Sequence, residues 1–311
     1  MGFGGPVVRL GLALAALALA GCDVTAVTPP PVALVAEAPG APISAQSAAL
    51  ASHYGEVQSE LLAQGLLRSD MGGPDTPFTD TMLAKNFLRI AFYEEYDRSL
   101  GGTTRQEAAI PLTRWTIPAR VSLRFGSSVP PDVRAVDTQR VASYLQRLAR
   151  LTGHPVYLSD KNANFTILIA DVNERRGAGP TIQGLMPELT PDQLASMTGM
   201  DRNTYCQVIT QSNPESYTYT GAVAVIPSEH PDLLFMSCVH EELAQALGLP
   251  NDSGLARPSI FNDDQEFALL TGQDEMMLKM LYAPELHPGM TEAEARPIVE
   301  MLAGRLTGGA S

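Results

Sequence analysis

Glu241, Glu242, Gln245, Asn251 and Asp252 lie close together in the stretch Cys238 to Asp252. Their side chains offer carboxylate and amide oxygens. Such oxygens suit a hard cation such as Ca²⁺, Mg²⁺ or Mn²⁺, and a carboxylate can also serve as a general base. Val239, Leu243, Ala246 and Leu247 recur at helical spacing as an apolar stripe, while Glu241, Glu242 and Gln245 fall together on the other side. The spacing predicts an amphipathic helix that stops at Gly248, where the chain can turn left-handed. The plainest reading makes these residues that helix's polar face and C-terminal turn, with the Asn251 and Asp252 side chains bonding nearby backbone.

The elements that must position this helix can be read outward from it. Gly221 to Ile226 is an apolar run that predicts a buried strand just before the helix, and Tyr205 to Thr210 predicts another strand. Further upstream, Trp115 to Phe125 alternates with Ile117, Ala119, Val121, Leu123 and Phe125 on one face, as a strand does. Asp132 to Leu151 has helical periodicity, and short strands are expected at 155–158 and 164–170. Pro180 to Met200 is expected to be an insertion holding one short helix. Ser44 or Ser47 caps a predicted helix running to about Leu67, with Leu50, Tyr54, Val57, Leu61 and Leu62 on its buried face. A second helix carries Phe87, Ile90, Ala91 and Tyr93, and Glu94 and Glu95 are expected on its solvated side. Helices over 271–282 and 291–306 follow, the latter opened by Thr291-x-x-Glu294. Strands and helices in this order predict a mixed α+β domain.

The 311 residues include 34 acidic and 21 basic ones, a formal charge of −13, with no run of Lys or Arg. Phosphate-backbone binding needs clustered cations, so no nucleic-acid partner is expected. No G-x-S-x-G elbow, P-loop or G-x-G-x-x-G is present. Arg9 followed by an apolar Leu/Ala/Gly segment ending in Leu19-Ala20-Gly21-Cys22 resembles a bacterial lipoprotein signal. That resemblance implies removal of residues 1–21, acylation of Cys22 and a place on the cell envelope facing the periplasm. Residues 22–43, rich in Pro and Ala, are then a semi-rigid tether. With Cys22 acylated, Cys206 and Cys238 remain as a pair in an oxidising compartment and are expected to be bridged.

The ending Glu242-Leu243-Ala244-Gln245-Ala246-Leu247-Gly248-Leu249 resembles the active-site helix of metzincin-type zinc peptidases, H-E-x-x-H-x-x-G-x-x-[HD]. Aligned on Gly248, the resemblance puts Glu242 at the general base, Glu241 and Gln245 at the first two metal ligands, and Asn251 or Asp252 at the third. Aligned on His240-Glu241, it puts Ala244 where the second His belongs. His240 itself reads equally as a group behind the site or as a capping residue. Thr271-Gly272-Gln273-Asp274-Glu275 with Leu281-Tyr282 is similar to the helix that follows the metal site in matrixin-like members. The fold implied is a metzincin-like (zincin-type) domain.

A closer resemblance joins the lipobox to Cys238-x-x-Glu-Glu-Leu-x-Gln-x-x-Gly-Leu-x-Asn-Asp, Pro258-Ser-Ile-Phe-Asn-Asp263 and Leu281-Tyr-Ala-Pro-Glu-Leu-His-Pro-Gly-Met290. These stretches resemble a bacterial lipoprotein family known as domain of unknown function 2927. The layout expected is a signal peptide over 1–21, a tether over 22–43 and one domain over 44–306, whose part 44–108 is helical. The function expected is a membrane-anchored, non-catalytic module that binds a peptide or an envelope protein, with no cofactor. The alternative is a metallopeptidase-like hydrolase with Glu241, Gln245, Asn251 and Asp252 around a divalent cation and Glu242 as base. Without imidazole or thiolate ligands, zinc is not the expected metal.

Overall fold

The computed structural model describes residues 1–2, 42–96, 105–262 and 264–309. Of the expected signal peptide only Met1 and Gly2 fall within it, and Cys22 and residues 22–41 of the expected tether lie outside it. Residues 39–311 form one compact unit. In chain order its described elements are α1 (Ala45–Ala63), α2 (Asp80–Ala91), β1 (Tyr93–Tyr96), β2 (Arg105–Ala109), β3 (Ala119–Phe125), α3 (Pro131–Thr152), β4 (Val156–Leu158) and β5 (Phe165–Ala170). Then come α4 (Val172–Gly177), α5 (Gly179–Leu185), α6 (Pro191–Thr198), β6 (Gln207–Asn213), β7 (Thr218–Pro227), α7 (Asp232–Gly248), α8 (Gly272–Leu281) and α9 (Glu292–Thr307).

The result is a mixed α+β fold. Five strands run in the order β4-β3-β5-β7-β6. Neighbours pair in parallel except β6, which is antiparallel to β7 and closes one edge of the sheet. Strand β5 and the second half of β7, Ala222 to Ile226, are apolar almost throughout because both sheet faces are covered there. Along β7 the side chains alternate: Ala222, Ala224 and Ile226 join the main core with Leu243 and Leu278, while Val223 and Val225 join a smaller core with Ile182, Met186 and Met197. The helix stripe expected at Val239, Leu243, Ala246 and Leu247 is fully buried in the main core. Capping boxes start α8 at Thr271 with Asp274 and α9 at Thr291 with Glu294.

Several expectations are corrected. Helix α1 ends at Ala63, short of Leu67, and its only buried residues are Ser47 and Tyr54, while Leu62 is exposed. It docks through polar groups instead: Ser47 donates to Glu229 Oε1 (3.0 Å) and Gln58 Oε1 accepts from Leu234 N (3.0 Å) at the start of α7. The ring of Tyr54 sits on His230, 4.3 Å between centroids. Helix α2 ends at Ala91, so Tyr93 and Glu94 belong to β1, antiparallel to β2, and not to a helix face. Ile117 lies before β3 and is exposed. The insertion contains two helices, α5 and α6, where one was expected.

Candidate functional site

Helix α7 is held rigidly before any question of chemistry arises. Its final carbonyls, which an α-helix leaves unsatisfied, accept side-chain donors: Trp115 Nε1 to Ala246 O (2.8 Å) and Tyr282 hydroxyl to Leu247 O (3.0 Å). The Tyr144 hydroxyl donates to His240 O (2.8 Å) further back. Gly248, at φ +126°, lets the chain pass so near residue 113 that a Cβ would stand 2.4 Å from Thr113 O. Towards the middle of the helix, Cys238 is bridged to Cys206, with 5.8 Å between the Cα atoms.

On the sheet side of this helix runs a cleft of about 530 Å³. Glu241, Glu242 and Gln245 line it from α7, and β6 lines it from Gln207 to Ser212. Glu94 from β1, Glu188 from the turn between α5 and α6, Tyr205, Asp252 and Gln265 also line it. Glu242 is buried, and Glu241 and Gln245 are half-buried. Gln245 Nε2 donates to Asp252 Oδ1 (3.1 Å), tying the helix to the loop behind it. The cleft thus brings together Glu241, Glu242, Gln245 and Asp252. Asn251 is not among the lining residues: its backbone N donates to Ile90 O (3.2 Å) and its Nδ2 to Arg89 O (3.0 Å), fastening the loop to the end of α2.

The back of the same helix faces the core. His240 is 5% exposed and its ring stacks on Tyr144 at 3.8 Å and 8°. Its Nδ1 accepts from Leu270 N (3.0 Å), which fixes a neutral ring. Burial, aided by the nearby Arg147 charge, pushes its pKa down to about 3. Behind it Asp274 is completely buried and accepts from Ser259 Oγ (2.6 Å), Ile260 N (3.1 Å), Thr271 N (2.8 Å) and Thr271 Oγ1 (2.9 Å). Burial outweighs these bonds and raises its pKa to about 6. The Pro258-Ser259-Ile260-Phe261 motif is thereby a structural clasp that joins the loop to α8.

The metal that a metzincin-like helix implies is zinc, and the residues present do not fit it. Glu241 and Gln245 supply oxygen where two imidazoles are needed, and the amide nitrogen of Gln245 is turned to Asp252. The nearest imidazole, His240, is on the opposite side with one nitrogen already engaged. Among the described residues no group of three or more His, Cys, Asp or Glu is arranged to hold a metal ion.

Sequence reasoning missed Glu94, Glu188, Gln265 and Tyr205 as cleft residues. Glu94 is 7% exposed, contrary to the solvated face expected for it. Gln265, at φ +57°, reaches the cleft because its carbonyl accepts from Leu67 N (2.8 Å), while Arg68 N donates to Glu266 O (2.8 Å). No local sequence signal marks such a long-range pairing.

Fold and cleft define an α+β domain with a groove, lined in part by carboxylates, along the edge of its sheet. The chain matches the family described as Protein of unknown function (DUF2927) over residues 80–301, and it belongs to that family. No curated protein matches it, and no solved structure does. No described helix is long and apolar enough to cross a membrane.

Proposed function

We propose that the chain is a lipid-anchored module of the bacterial envelope whose metzincin-like domain binds an extended peptide or a partner protein without cutting it. The observation that carries this reading is the edge strand β6, whose ladder partner among the described residues is β7, running along the wall of the cleft. Edge strands of stable monomers are usually blunted by charge, proline or short length. Gln207-Val-Ile-Thr-Gln-Ser-Asn213 has none of these, and as the last strand of the sheet it is the place where an extended segment would add. The metzincin-like reading rests on the strand order, with its antiparallel edge over the helix that carries Glu242. The anchor rests on Leu19-Ala20-Gly21-Cys22.

The test uses a pool of random octapeptides. Hydrogen exchange should slow at the amides of residues 207–213 when the pool is added, with the peptides recovered intact. The competing reading is a hydrolase with Glu242 as base and a hard cation on Glu241, Gln245 and Asp252, supported by their meeting in one cleft. It would be established by cleavage of the pool that Glu242→Ala abolishes and a chelator suppresses. The anchor is checked separately by mass spectrometry: an N-terminus at diacylated or triacylated Cys22 is expected, and a chain retaining Met1 would refute it.

A further inference from the structure

We infer that α1 occupies an exchangeable helix-docking site: the chain's own helix fills it in this structure, and a helix of another molecule with the same polar stripe can take its place. The site lies where α4, the turn after β7 and the start of α7 meet. Arg175 and Glu229 form an ion pair inside it, Nη2 to Oε2 3.8 Å, with both side chains 2% exposed. Glu229 Oε1 accepts from Val172 N (2.7 Å) and from the Ser47 hydroxyl of α1 (3.0 Å). His230 stands next to the pair, beneath the ring of Tyr54.

The occupant is lightly held. Ser47, Tyr54 and Gln58, spaced i, i+7 and i+11, fall on one face of α1 and make its contacts to Glu229, His230 and Leu234 N. Ser44 and Gln46 add exposed hydrogen bonds to Asn173 and Arg176, which exchange one water for another partner at little net gain. The site, for its part, is imperfectly satisfied while α1 covers it. Arg175 Nε, Glu229 Oε2 and His230 Nε2 are enclosed, and none has a hydrogen-bond partner. Burial is the largest influence on both ions: it lowers the pKa of Arg175 and raises that of Glu229, against their mutual attraction. A helix that leaves polar atoms enclosed and unpaired restores their hydration when it departs. Docking is therefore the difference between one aromatic contact with a few hydrogen bonds and the desolvation of an ion pair, a balance that lets the contact open and close.

Sequence position agrees. The site residues lie within the stretch that matches the family, residues 80–301, whereas α1 precedes it. The docking does not depend on what the cleft binds, yet it reaches the cleft's edge: the Tyr54 ring meets Tyr205 edge-on at 6.1 Å, and Tyr205 lines the cleft.

The experiment titrates a labelled peptide of residues 44–64 against the full-length protein. In the native protein α1 competes from the same chain at an effective concentration of about 1 mM, so little peptide should be taken up. Full-length Tyr54→Ala weakens that competitor and leaves the site intact, and it should bind the peptide roughly tenfold or more tighter than the native protein does. A peptide carrying the same Tyr54→Ala change should bind neither. In the native protein, hydrogen exchange should show α1 opening alone, with its amides exchanging faster than those of α3 and α7 and with little dependence on low urea. Should Tyr54→Ala fail to fold, Gln58→Ala, which removes a single hydrogen bond, replaces it in the same titration with a smaller gain. A folded variant that takes up no peptide at about 1 mM would overturn the exchangeable site. Equal uptake by native and variant chains would overturn it too, since the peptide would then be bound elsewhere, as would α1 amides that exchange only with global unfolding.

Discussion

The sheet has two edges, and they are built on opposite plans. At one end β4 is three residues long, Val156 to Leu158, too short to template a partner. At the other, β6 is seven residues long, uncharged, and faces a groove. An edge left long and uncharged carries an aggregation risk that a short one does not. On the reading proposed above, the contrast separates a boundary that ends the sheet from one that receives a partner.

The contrast is broken most strongly by releasing β6 at its start. Replacing both Cys206 and Cys238 with Ser removes a bridge across 32 residues. It should lower stability by roughly 3 to 4 kcal/mol on the chain-entropy account. Urea unfolding measures the loss, and hydrogen exchange should quicken in β6 while β4 changes little.

Acid tests the helix that floors the open edge. The His240 ring has a folded pKa near 3, below its ordinary 6.5, so the native state refuses a proton that the unfolded chain accepts. Its contribution is fully present above pH 6.5 and is lost as pH falls toward 3, at about 1.4 kcal/mol per pH unit. His240→Gln keeps an acceptor for Leu270 N and cannot titrate. Its urea midpoint should fall less steeply than that of the native protein between pH 6 and 4.

The smallest change in stability sharpens the contrast best. Thr210→Lys places a charge on β6 and Tyr157→Lys places one on β4. Each should alter stability by about 1 kcal/mol or less. Only Thr210→Lys should abolish peptide-induced protection of residues 207–213, and equal effects of the two would contradict the division between the edges.

Much of this arrangement could be read from residue order. The stripe Val239, Leu243, Ala246 and Leu247, the paired Cys206 and Cys238 and the Thr291 capping box depend on spacing or local chemistry, and each is found where it was expected. Two features were hidden for different reasons. Glu94 was assigned to a solvated helix because the apolar rhythm of α2 runs on to Tyr93, whereas the backbone leaves the helix at Ala91 and carries Glu94 into the groove. The docking of α1 was misjudged because Ser47 and Gln58 meet partners more than 170 residues away, an attachment with no periodicity to detect. On the site itself, carboxylate spacing along α7 was legible, but the turning of Asn251 toward Arg89 depends on where α2 ends.

Gly248 has a mechanical meaning. With Thr113 O so close that no side chain fits between, and with Cys238 stapled to Cys206 beside β6, α7 resembles a beam clamped at its far end and again towards its middle. A pull on α1 would reach α7 through Gln58 at Leu234 N, at the start of the beam and ahead of both clamps. The carboxylates of the groove would then keep their mutual spacing under load, as a ruler keeps its marks when only its handle is tugged.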